Sequence, residues 1–112
     1  MKKIDRFMAP IKQRVQMMVA RAVVNLVNDG LKMQELQIGV MKNETRAGVE
    51  RFQNYGFTAH PIPGAEAAVI FVGGNRDHGL IIAVDDRRYR MKALEQGEVA
   101  IYTDQEDYIK LG

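Results

Sequence analysis

The chain opens on a helical period and then turns to an alternating one. From Pro10 onward, Ile11, Val15, Met18 and Val19 recur at the spacing of a single apolar helix stripe, with Lys12, Gln13, Arg14 and Gln16 on the other face. Ile4, Phe7 and Met8 extend the stripe backwards. Pro10 therefore either starts a short helix in its first turn or kinks a longer one, and both readings stay open.

Beyond about Arg21 the pattern is that of strands. RAVVNLVND runs into the breaker Asn28-Asp29-Gly30, and MQELQIGVM then alternates strictly, with Leu36, Ile38 and Val40 on one face and Glu35, Gln37 and Gly39 on the other. That is the period of a half-buried antiparallel strand. A polar segment, KNETRAG, leads into VERFQNYGFT, and the prolines and glycine of PIPG close the region. Three further runs, AEAAVIFV, GLIIAV and GEVAIYT, are apolar on both alternating faces. About five strands with one N-terminal helix predict a mostly β fold, an OB-like five-stranded barrel, better than a sandwich. Residues 1–20 are the helical segment and 21–112 the barrel domain.

The doubly apolar runs carry a second implication. One face of each can line a barrel, but no second helix is predicted to cover the other. The chain is therefore expected to bury strand surface against another subunit, with Ala68, Ile70, Val72, Ile82 and Val84 divided between barrel interior and subunit contact.

Composition narrows the functional classes. A chain of 112 residues suits one modest core. Its 16 Lys/Arg against 14 Asp/Glu leave a formal charge of +2, too slight to argue for nucleic acid on its own. With no cysteine there is no disulfide, thiolate zinc site or thiol nucleophile, and His60 and His78 are too few for a histidine-rich metal site within one subunit. No stretch approaches the ~18 apolar residues of a membrane span. The N-terminus is basic, but Asp5 and Arg14 interrupt what a secretory signal would keep apolar, which fits a chain made and kept in the cytosol.

Four segments could carry chemistry. GGNRDHG, Gly73 to Gly79, has the glycines of a phosphate-binding loop, yet it is followed by strand-like LIIAV and lacks the Lys and hydroxyl of a P-loop. Asp77 and His78 are sequence neighbours that diverge on an extended chain, and no Ser or Cys nucleophile accompanies them. The segment reads as a hairpin loop, with Arg76, Asp77 and His78 at its tip, exposed to solvent or to a neighbouring subunit. RFQNYGF interleaves a base with aromatics, so Arg51, Phe52, Tyr55 and Phe57 are the alternative reading: an OB-type surface for single-stranded nucleic acid. DDRRYR reads as a solvated turn. TDQEDY lacks the glycine and distal glutamate of a calcium loop and reads as a hairpin turn before YIKL.

Taken together, NYGFTAHPIPGAEA, GGNRDHG and AVDDRRYR, in that order, closely resemble the Mu-like phage baseplate assembly protein V family, the central tail-spike proteins. GEVAIYTDQEDYIKL and the upstream APIKQRVQMMVARAVVNLVND look similar too, so the resemblance covers nearly the whole chain. It implies a homotrimeric, non-enzymatic component of a contractile tail. Its N-terminal OB-fold domain would seat in the baseplate hub against hub and tail tube proteins. No cofactor, small-molecule substrate or nucleic acid is expected for this part. The protein would be assembled in the host cytoplasm and then carried in the virion tail baseplate, where the spike serves host-envelope penetration. In the family the chain continues into a three-chain β-helix tapering to a tip where histidines can hold iron. Here 104–112 is where such a β-helix would begin, no His-x-His follows, and the apex iron would lie beyond Gly112. Either the chain is a piece of a longer one, or it is a short hub without a needle.

Overall fold

The computed structural model describes residues 2–112, with side chains from Arg6 onward. Helix α1, Lys2–Gln16, contains Pro10 well inside it, so the longer of the two helical readings holds; the Ile4 side chain lies outside the described residues. Met18 and Val19, expected on the helix stripe, are not helical. The helix ends at Gln16, and Val19 opens strand β1, Val19–Asn28, whose run of β-branched residues pairs along its length.

Strands β2 (Gln34–Met41), β3 (Glu44–Arg51), β4 (Glu66–Phe71) and β5 (Gly79–Asp85) complete a closed barrel in the order β1-β2-β3-β5-β4, with β4 returning to β1. All neighbours are antiparallel except β3 and β5. This is a mostly β fold of the OB-like kind with one N-terminal helix, as the pattern implies.

Two segments differ from their sequence reading. The polar KNETRAG is not a connection: its ETRAG forms most of β3, after a tight turn in which Asn43 takes a positive φ of 65°. GEVAIYT does not belong to the barrel. Its core becomes β6, Val99–Tyr102, which pairs only with β7, Tyr108–Leu111, across the turn expected at TDQEDY.

The interior is small and filled by alternate residues. Ala22 and Val24 of β1, Leu36 and Ile38 of β2, Val49 of β3, Ala67, Val69 and Phe71 of β4 and Ile81 of β5 are buried, with Ala65 beside them. Bulges keep that set inward while the strands coil. Between Val24 and Leu26 the β1 register slips, so Leu26 faces out and Val27 packs on the core. On β5 the slip falls at Ile82, because Ala68 pairs with Ala83 but Val69 with Ile81. Ile82 is thereby turned outward and Val84 inward, although alternation alone would keep them on one face.

The helix and the β6–β7 hairpin stand away from the barrel. A compact chain of this length has a radius of gyration of about 13 Å, whereas this one measures 17.5 Å with extents of 58 × 36 × 27 Å. Phe71 is the largest side chain with no exposure. Phe71→Ala should cost about 3–5 kcal/mol, read as a lowered urea midpoint at unchanged slope.

Candidate assembly surfaces

The residues that looked most like a site close the barrel instead. β3 and β5 pair only at Glu50 with Leu80 and Arg51 with Ile81, and beyond Glu50 the two strands splay apart. The loop Val72–His78 fills that seam. It is braced internally by Val72 N–H donating to the His78 carbonyl (2.9 Å) and Asp77 N–H to Asn75 Oδ1 (3.0 Å).

From this loop Asp77 accepts a hydrogen bond from Arg46 Nη1 at 3.0 Å, and Arg46 also donates to Glu44 Oε2 at 3.2 and 3.1 Å. Arg76 turns inward. Its guanidinium lies 4.4 Å from the centroid of the Phe71 ring and its Nε 3.8 Å from Glu44 Oε2, with its side chain only 10% exposed. Of the three residues expected at the loop tip, exposed to solvent or to a neighbouring subunit, Arg76 is thus largely covered within its own chain. Its aliphatic stem and planar head cover the end of the core, a role for which Arg is suited by its weak hydration and its attraction to an aromatic face. Asp77 and His78 are exposed. A cavity of about 290 Å³ remains in the seam, lined by Arg46, Gly48, Arg76 and His78 among others. Arg46 and Arg76 face Glu44 and Asp77 across this seam.

Gly74 serves the helix. At φ 76°, it lies so close to α1 that a Cβ there would stand 2.8 Å from the Arg14 carbonyl oxygen. The end of α1 is thus seated on the β4–β5 loop through a position that only glycine fits.

At the opposite end of the barrel a polar plug ends the core. Buried Gln34 donates from Nε2 to Asp29 Oδ1 (2.8 Å) and to the Ala59 carbonyl (2.9 Å), and its Oε1 accepts from Arg51 Nη1 (2.9 Å). Arg51 Nη1 also donates to the Ala59 carbonyl at 2.9 Å. Burial pulls the Arg51 guanidinium below its ordinary pKa, and Asp29 nearby partly offsets this. Arg51 is thus committed to holding the 52–65 connection onto the barrel, and the basic member of the proposed nucleic-acid surface is not free. Phe52, Tyr55 and Phe57 are exposed, Tyr55 completely.

The run DDRRYR is a solvated turn, tied down by short-range pairs. Arg88 donates to Asp86 and to the Pro63 carbonyl (3.1 Å), and Arg87 pairs with Glu66 across to β4. Hydrogen bonds from Arg87 and from Arg88 hold the Glu66 and Asp86 carboxyls below the usual carboxylate range.

What the described residues do present is apolar surface without cover. On the outer face of the barrel, Val19, Ile70 and Leu80 stand in one cross-strand row, with Ala68, Ala83 and Ile82 beside it. Val19 is 66% exposed and Ile82 52%, whereas Ala68 and Ile70 are half-buried. Of the five expected contact residues, Val84 packs on the core and Val72 leaves the strand for the loop, exposed. None of the five is fully buried in the single chain. Helix α1 leaves Phe7, Ile11 and Val15 in solvent, and β6–β7 exposes Val99, Ile101, Tyr108, Ile109 and Leu111. Three separate elements carrying such stripes indicate surfaces shaped for other chains.

Comparison with known proteins shows the family of the chain. A family model described as "Bacteriophage Mu Gp45, N-terminal" matches residues 21–88, the barrel and its closing turn. The chain belongs to the bacteriophage Mu Gp45 N-terminal family. The family match is supported by relatives along almost all of the sequence. The "Baseplate puncturing device gp45" of Escherichia phage Mu is 47% identical over 108 residues, 96% of this chain and 55% of that protein. The "Mu-like prophage FluMu protein gp45" of Haemophilus influenzae is 43% identical over 102 residues, 91% of this chain and 56% of that protein. The chain thus spans about half the length of these curated relatives. The first is named for a device of the baseplate and not for an enzymatic activity. His60 and His78 lie on separate loops without a His-x-His pair, and no group of three metal-ligating side chains comes together among the described residues.

The plug generates a test. Arg51→Ala strands the Gln34 carbonyl oxygen and removes a tie to Ala59, so it should lower stability by about 1–3 kcal/mol. Urea unfolding checks the magnitude, and faster amide exchange confined to 52–65 checks the place.

Proposed function

We propose that this chain is the barrel domain of a baseplate spike: a non-enzymatic structural part that trimerises, seats in the hub of a contractile tail against hub and tail tube proteins, and supports envelope penetration by the whole spike. It would assemble in the host cytoplasm and end in the virion tail baseplate. The observation that carries the reading is the 47% identity to a baseplate puncturing device over 96% of the chain. The uncovered outer row Val19, Ile70, Leu80 supports it physically, because a closed ring of three gives each such face a different face of the next chain to meet.

Three exposed aromatics, Phe52, Tyr55 and Phe57, favour the second reading, an OB-type surface for single-stranded nucleic acid. Against it stands Arg51, held by Gln34 and Ala59.

Light scattering after size exclusion separates the two. The spike reading expects a native mass of three 12.7 kDa chains and no salt-dependent binding of an oligonucleotide. A monomer that binds the oligonucleotide, more weakly as salt rises, would replace it with the second. Ile70→Asp places a charge in the outer row and is expected to abolish trimerisation or folding; a soluble, fully trimeric Ile70→Asp protein contradicts the interface.

A further inference from the structure

A larger concavity than the seam, a groove of about 750 Å³, lies between the barrel and the β6–β7 hairpin. Its barrel wall includes Phe52, Phe57 and Ile82, and its hairpin wall Ile101 and Tyr102. Each wall ends in a carboxylate, Asp85 on the barrel side and Asp104 on the hairpin side. Neither forms an ion pair among the described residues. The other charged groups of the lining are engaged or opposed: Arg51 in the plug, Asp86 by Arg88, and His60 against the Pro61 carbonyl.

Helix α1 has the complementary chemistry. Between Arg6 and Gln16 it carries Arg6, Lys12 and Arg14 and no acidic residue. Phe7, Ile11 and Val15, at successive i+4 positions, form one exposed stripe. Lys12 follows Ile11 and Arg14 precedes Val15, so at ~100° per residue they fall on opposite flanks of that stripe. Neither pairs with a carboxylate among the described residues. An apolar ridge flanked by two cations matches an apolar groove rimmed by two anions.

The helix and the groove of one chain lie at opposite ends of the barrel. Gln16 leads into Val19, which pairs with Ile70 and so, through β4, with Leu80; the groove lies at the other end of these strands, where Glu66 pairs with Asp85. Gly74 fixes the end of α1 at the first of those ends. A helix of about 22 Å anchored there does not reach its own groove without reversing its course.

We propose that α1 of one chain seats in the barrel–hairpin groove of a second copy, its Phe7, Ile11 and Val15 stripe between Ile82 and Ile101, with Lys12 and Arg14 facing the Asp104 and Asp85 rims. The inference rests on the self-assembling reading above and gives it a head-to-tail contact. Such a contact is heterologous and repeats from chain to chain until the ring closes. Apolar burial supplies the affinity, and the two rims set the orientation.

The natural sequence has no cysteine, so engineered pairs report without background. Ile11→Cys combined with Ile82→Cys, and separately with Ile101→Cys, changes only exposed positions. Mild oxidation of the full chain is expected to give interchain disulfides, seen on a non-reducing denaturing gel at two and three times the chain mass. Lys12→Glu with Arg14→Glu should slow that cross-linking by about tenfold, and adding Asp85→Lys with Asp104→Lys should restore it. A native mass of three chains with no interchain disulfide, or with disulfides only within single chains, overturns the helix-in-groove contact and leaves the assembly reading standing. A native mass of one chain overturns both.

Discussion

The interior of a five-stranded barrel admits few side chains, and that limit governs the rest of this molecule. Ten apolar residues are buried, three of them alanines and the largest a single phenylalanine. Alternation then obliges every strand to present its other residues outside. Where those are Arg21 or Glu66, water suffices. Where they are Val19, Ile70 and Ile82, burial is gained only against another surface. At about 25 cal/mol per Å² of apolar area, each such side chain is a standing driving force for association. Helix α1 and the β6–β7 hairpin are subject to the same limit, since the barrel has no interior left to receive them.

The same smallness makes closure the critical step in the fold. β3 and β5 share only two paired positions, and a barrel open at that seam would expose Phe71 and Val49 to water. Glu44, Arg46, Arg76 and Asp77 bridge the seam with side chains where the backbone ladder runs out. At the far end Gln34 and Arg51 end the core and fasten the Ala59 connection. Polar groups at both mouths are thus spent on shape. A partly buried guanidinium is worth its desolvation cost only when it is hydrogen-bonded or laid on an aromatic face, and Arg51 and Arg76 meet that condition in these two different ways.

How far the fold could be read from sequence depended on whether local period and tertiary role agreed. Leu36, Ile38 and Glu35, Gln37 alternate because β2 is regular over those residues, and the strand was evident. β3 was not, because its bulge at Gly48 puts one extra residue between Arg46 and Val49, and its exposed Thr45, Ala47 and Gly48 leave ETRAG with no apolar alternation. GEVAIYT misled in the opposite sense. It has the composition of a doubly covered strand, but that composition reports only that cover is needed and not which chain supplies it. The slip at Ile82 could not be read either, since nothing in LIIAV marks the bulge that sends Ile82 out and Val84 in.

The glycine-rich stretch shows why residues that carry chemistry need not form a site. Gly73 and Gly74 take positive φ so that the chain can turn back beneath the end of α1, and that turn delivers Arg76 to the ring of Phe71 and Asp77 to Arg46. Once there, Arg76 faces Glu44 and Asp77 faces Arg46, and the charges are consumed by one another. Catalysis requires a group whose protonation or charge is left available to a substrate, and closure requires the reverse. Arg76 Nε and Nη1 are nonetheless buried without a hydrogen-bond partner, so its charge is met by the Phe71 ring and the more distant Glu44. The distinguishing property of this chain is therefore carried by its uncompensated surfaces: the outer row of the barrel, the ridge of α1 and the groove beside β6–β7.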